Sequence, residues 1–213
     1  MVGDVAGRVN GSGGIGPAGF AAAVATAAAA AGSGVELVTR IGEDEAGDAV
    51  VLGLARAGIG HVATLRDAGR GTPIMTASDD EAPPDVADDE APPDVADDAS
   101  GSGVTPPGPA LEAADVGLAL RYLSDYRVIV VTHPSTDDVL GEAIAAAGWS
   151  GAHLIVITST EHEIGVPAEA VAVAAEPGAE AVADRVGRYA AAVDSGGDLD
   201  TAYAVLTGAN AES

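Results

Sequence analysis

At 213 residues the chain has the length of one ordinary domain with a proper core. Its 33 acids against nine basic residues, all of them arginine, give a formal net charge of −24, which repels polyanions and excludes nucleic acid as an expected partner. Without cysteine or lysine the chain has no disulfides, no thiolate metal site, no lysine-bearing phosphate loop, no Tyr-x-x-x-Lys pair and no Schiff-base chemistry.

No apolar run reaches the roughly 20 residues of a membrane span; Ala21 to Ala31 comes nearest and stops at Gly32. The opening MVGDVAGRVNG carries an acid early and lacks the basic-then-apolar layout of a secretory signal, so no membrane partner and a cytoplasmic location are expected. The acids are spread over the chain and lysine is absent. Together these point to a salt-loving source, where screening removes the self-repulsion.

In chain order, Met1 to Val9 reads as a short first strand with Val2, Val5 and Val9 as its apolar content, weakened by Gly3 and Gly7. Gly11, Gly13 and Gly16 satisfy a G-x-G-x-x-G pattern. Pro17 suits the first turn of a helix, and Ala18 to Ala31 has high helix propensity. A glycine loop feeding a helix can hold an anion on free N–H groups, which would make this a dinucleotide site. The alternative is a turn that lets an alanine helix pack closely on a sheet.

Val35 to Ile41 reads as a buried strand, followed by a Gly42-Glu43-Asp44 turn. A helix over Ala46–Ala57 puts Val50, Val51, Leu54 and Ala55 on one face and stops at Gly58. His61 to Leu65 is a short strand, and Ile74 resumes an extended segment after Pro73. From 79 to 98 the unit DDEAPPDVA repeats in tandem, with ten acids, four prolines and no basic residue. Such a composition predicts a disordered acidic loop over 78–109, separating the 1–77 and 110–213 parts of a single domain. The acidity outside that loop remains high.

Leu111 to Tyr122 reads as a helix. Arg127 to Thr132 reads as a continuous β-branched strand suited to the middle of a parallel sheet. Pro134-Ser135-Thr136 offers a helix cap, and Val139, Leu140, Ala143, Ile144 and Ala147 form a helical stripe. Ala152 to Thr158 and Val171 to Ala174 are further strands. The alternation of strands and helices predicts an α/β fold, a three-layer sandwich around a mostly parallel sheet. Val182, Val186, Tyr189, Ala190 and Val193 form the apolar stripe of a late helix, which leaves Asp184 off that stripe. His133 follows the central strand, where open α/β sheets place ligands, and Asp137 and Asp138 stand nearby. Glu161-His162-Glu163 is a weak metal-ligand spacing, and no metal site is expected.

Pro17-Ala18-Gly19, then Val38-Thr-Arg-Ile-Gly42-Glu43-Asp44, then Ala57-Gly58-Ile59 and Gly71-Thr72-Pro73 follow one another in an order and spacing that resemble the ribokinase (PfkB-type) carbohydrate kinases. The chain resembles a shortened, degenerate member of that family from a halophilic archaeon. The resemblance implies a ribokinase-like fold and ATP-dependent phosphoryl transfer, with Mg²⁺, to a hydroxyl of a sugar or nucleoside. It gives Gly19 a place in substrate binding. It gives Asp184 the role of proton acceptor, in the run Ala181-Val182-Ala183-Asp184 that stands where the family has Gly-Ala-Gly-Asp at an anion hole. It puts Ala23 where the family has a sugar-contacting Asn. The alternative reading is a catalytically degraded relative that binds a ligand or partner. A homo-oligomer is compatible with either.

Overall fold

The computed structural model describes residues 1–11, 13–75, 108–159, 165–176 and 179–207. Nearly all of the expected acidic loop, and the Glu161-His162-Glu163 segment, lie outside these residues.

The heart of the fold is a parallel sheet. Strand β8 (Val128–Thr132) pairs with β9 (His153–Thr158), and β9 pairs with β10 (Val171–Ala174), all parallel. On the other side of β8, Val2 bridges to Val131 and also to Val38, and so joins this sheet to the segment that holds β3 (Val35–Glu36) and β4 (Thr39–Gly42). Backbone bonds from Val2 N–H to the Val130 carbonyl (2.8 Å) and from Val38 N–H to the Met1 carbonyl (2.8 Å) close the join. Beyond these, β3 pairs with β5 (Ile59–Gly60) and β4 with β6 (Thr64–Asp67), again parallel.

Side-chain alternation along the central strands builds the layers. Ile129, Val131, Leu154 and Val156 point into one core, which is closed by α3 (Ala113–Tyr122) and α4 (Asp137–Ser150). Val130, Ile155 and Ile157 point into the opposite core, under α1 (Phe20–Ala30), α5 (Glu180–Asp194) and α6 (Leu199–Thr207). A third cluster seats α2 (Glu45–Arg56) on the same side through Val50 and Leu54 against Val5, Leu37 and Ile59. The result is the expected three-layer α/β sandwich.

Two expectations are corrected. Residues 1–9 are not one strand: Val2 belongs to the large sheet, and β1 (Ala6–Val9) belongs to a separate three-stranded sheet, between antiparallel β2 (Ile15–Ala18) and parallel β7 (Ile74–Met75). The glycines that appeared to weaken the strand are packing requirements. A Cβ at Gly3 would fall on Thr132 Oγ1, and one at Gly7 would lie 2.7 Å from Ile15 and 2.9 Å from Ile74. The second correction concerns Gly11–Gly16. This segment turns a hairpin, with Asn10 N–H bonded to the Gly14 carbonyl, and runs into a strand rather than a helix. Pro17 sits in that strand opposite Gly7. A phosphate loop needs a helix N-terminus directly after the glycines, so the dinucleotide alternative loses its geometry.

At the start of β9, the His153 ring shares a 2.9 Å hydrogen bond with the Tyr189 hydroxyl, and the Tyr189 ring meets Tyr203 edge-on. Burial lowers the affinity of His153 for a proton below the ordinary imidazole value of 6.5. The unfolded chain therefore takes up this proton first, so the stability from a neutral His153 is complete above pH 6.5 and is lost as pH falls below it. The melting temperature should decline from neutral pH toward about pH 5. His153→Gln, which keeps a hydrogen-bonding group without a titration, should flatten that decline. An unchanged slope would remove His153 from the account.

Candidate active site

The ends of the parallel strands, where chain polarity gathers loops and helix starts, are the expected ligand edge of such a sheet. Here α1 begins at Gly19, whose φ of 96° only glycine adopts freely. That conformation turns the chain from β2 into α1 against the backbone of Asp4 to Ala6, with Asp4 O 3.5 Å from where a Cβ would be. Helix α5 arrives at the same edge after β10. Along α1 from Gly19 to Ala30, against the first turns of α5 and the three-stranded sheet, lies a cleft of about 480 Å³. Its wall includes Arg8, Gly19, Ala23, Thr26, Glu180 and Asp184.

The two site residues read from the sequence, Gly19 and Asp184, thus line one cleft, and so does Ala23. The Asp184 carboxylate is half-exposed, and its Oδ2 lies 3.1 Å from Nε of Arg188, one turn further along α5. It does not stand at the helix start, because α5 begins at Glu180 and Asp184 sits in the second turn. In consequence the amides of Val182 and Ala183 already donate to the Ala179 carbonyl, at 2.9 and 3.0 Å. An anion hole needs donors without other partners, and these two are committed.

His133 lies beside the cleft. Its φ of 44° is unusual for a residue with a Cβ. Its N–H donates to the Ile157 carbonyl (2.7 Å), its Nε2–H donates to the Ala175 carbonyl (2.8 Å), and its ring meets Phe20 edge-on. These contacts tie the ends of β8, β9 and β10 to α1, so His133 is a strut whose ring nitrogen is already engaged. Asp4 follows Val2 at this same edge. It keeps contact with solvent, but the surrounding protein desolvates its carboxyl enough to raise it above the ordinary carboxylate value, with His133 acting in the opposite sense.

A second cavity of about 330 Å³ opens at the opposite edge of the sheet, lined in part by Glu36, Tyr126, Arg127 and Asp194. None of the candidate site residues lies there, and strand polarity favours the other edge. Among the described residues no group of three or more His, Asp or Glu side chains could hold a metal ion, and no helix is long and apolar enough to cross a membrane.

No protein-family model matches the chain, and no curated protein is similar to it in sequence. Solved structures are similar. An uncharacterized sugar kinase from Pyrococcus horikoshii in complex with ATP superimposes with a TM-score of 0.52 at 12% identity, over 76% of this chain and 52% of its own. Fructokinase with bound ATP from Xylella fastidiosa gives 0.51 at 14% identity, over 97% and 64%. The 2-dehydro-3-deoxygluconokinase of Thermotoga maritima gives 0.50 at 17% identity, over 76% and 50%. The fold is ribokinase-like. Across these three matches the chain spans between 50% and 64% of the length of the sugar-kinase structures.

Proposed function

We propose that this chain is a sugar-kinase-like protein whose cleft binds a small hydroxylated acceptor, a sugar or nucleoside, with Asp184 positioned to take the proton as the hydroxyl receives a phosphoryl group from ATP. One observation carries the reading: Gly19 and Asp184, far apart in sequence, line the same cleft in a ribokinase-like fold. A partly hydrated carboxylate is a competent proton acceptor once a hydroxyl lies within hydrogen-bond reach.

The donor side fits less well. The Val182 and Ala183 amides, the two that precede Asp184, are bonded to the Ala179 carbonyl and so are closed to a transferred phosphoryl group. That same observation favours a second reading, a relative that kept the acceptor cleft and binds a ligand without transferring phosphate.

Kinase action predicts that ATP with Mg²⁺ raises the melting temperature at high salt, and that the chain turns over ATP in the presence of one member of a panel of sugars and nucleosides. Asp184→Asn should then cut turnover by about 100-fold or more while sparing acceptor binding, the scale of a lost general base. Neither stabilisation nor turnover with any member of the panel would reject the kinase and leave the ligand-binding relative.

A further inference from the structure

The described wall of the cleft has few groups with which to read a polyol. Alanines 18, 22, 23, 27 and 30 present methyl groups, and Phe20 and Met75 add apolar surface. The Thr26 hydroxyl is spent on the Ala22 carbonyl, at 2.7 Å. What remains is charge: Arg8, Glu180 and Asp184. Asp184 is held by Arg188, whereas among the described residues Arg8 pairs with Glu180 at 3.7 Å, beyond hydrogen-bond length and with a side chain 79% exposed. Arg8 lies in the middle strand of the three-stranded sheet, in register with Gly16 on one side and Met75 on the other, so all three share a face. Gly16 has no side chain, and a Cβ there would meet nothing within 4 Å. The guanidinium therefore borders open space.

We propose that the acceptor of this cleft carries an oxyanion, a carboxylate or a phosphate ester, and that Arg8 is the residue that binds it. The inference rests on the cleft being the acceptor site, as set out above. A planar guanidinium matches either oxyanion with two parallel N–H donors. In a chain of net charge −24, an anionic ligand needs such a local cation to overcome the general repulsion. Glu180 holds the place of that anion at long range and gives way to it.

Isothermal titration calorimetry on the full chain, without nucleotide and in high-potassium buffer, tests this with D-gluconate, D-glucose 6-phosphate and uncharged D-glucose. At least one of the two anions should bind about tenfold tighter than glucose, the scale of one charge-assisted pair, and which one does so identifies the oxyanion. Arg8→Gln should erase that advantage while leaving the melting curve as it was. Glu180→Gln should strengthen the anion and not glucose. Binding of both anions no tighter than glucose, or an advantage that survives Arg8→Gln, overturns the proposal. Loss of phosphoryl transfer with anion binding intact rejects only the kinase reading. Transfer to neutral sugars without anion binding rejects only this one.

Discussion

Gly187→Leu is expected to lower the melting temperature by roughly 6–12 °C, the shift that about 3 kcal/mol produces in a chain of this size. Helices α1 and α5 cross with almost nothing between them. A Cβ at Gly187 would stand 2.5 Å from the Ala27 Cβ, 2.7 Å from the Val24 carbonyl oxygen and 2.8 Å from the Ala28 amide nitrogen. Two of those three neighbours are backbone, which cannot swing aside as a side-chain tip can. The alanines of α1 and the glycine of α5 therefore fit each other, and a leucine can be housed only by prising the helices apart. Overpacking in a close-packed core costs about 1–3 kcal/mol, and more where backbone must move. Both helices also wall the cleft, so the variant should lose ligand affinity together with stability. Gly187→Ala tests the same contact with a single methyl and should fall between the two. A leucine variant that melts with the parent protein would show that the helices do not pack as described.

That contact also shows what a sequence reveals and what it hides. The central strands were legible because burial on both faces writes itself as a continuous run: Ile129 to Val131 and Leu154 to Ile157 are apolar throughout, and each run alternates between the two cores. Helix α4 announced its start through Thr136, whose hydroxyl accepts the Val139 N–H at 3.3 Å. The first nine residues were harder. Their glycines match a weak strand by propensity, but they are present because Thr132, Ile15 and Ile74 occupy the space a side chain would need, and those partners are remote in sequence.

The site divides in the same way. Asp184, Gly19 and Ala23 are marked out by the resemblance to the ribokinase-type kinases, and all three line one cleft. Arg8 is not marked out, because its neighbours come from Gly16 across a hairpin, Met75 across a parallel pairing and Glu180 from the far end of the chain. One signal was available: Arg8 is the sole basic residue before Arg40, on a strand position that alternation assigns to the same face as Ala6. The amides of Val182 and Ala183 were equally hidden, since the turn at which α5 begins decides whether they are open, and helix ends are the least legible part of a pattern.

Asp44→Ala is expected to cost about 2 kcal/mol and to loosen one wall of the cleft. The Asp44 carboxylate caps α2 by accepting the Gly47 N–H through Oδ1 (2.7 Å). The same oxygen accepts the Thr72 hydroxyl (2.7 Å), and Oδ2 accepts the Thr72 N–H (2.7 Å). Thr72 Oγ1 in turn accepts the Gly42 N–H at 2.9 Å. One residue further on, the Pro73 carbonyl accepts from Gly7, and β7 then runs alongside β1 to place Met75 on the cleft. Removing the carboxylate leaves three donors without their acceptor. The figure sits at the lower part of the range for charged hydrogen bonds because water reaches the carboxylate. Desolvation pushes the Asp44 carboxyl upward, but the Thr72 and Gly47 amides, the Thr72 hydroxyl and the Arg66 charge outweigh it and hold it below the ordinary value of 3.8. Its contribution is therefore fully present above about pH 3.8 and is lost as pH falls through the depressed value. Denaturant melts of parent and Asp44→Ala should differ at neutral pH and converge in acid below that point. A gap that persists unchanged into strong acid would mean that the ionised carboxylate is not what fastens the Thr72 segment, and with it β7, to the start of α2.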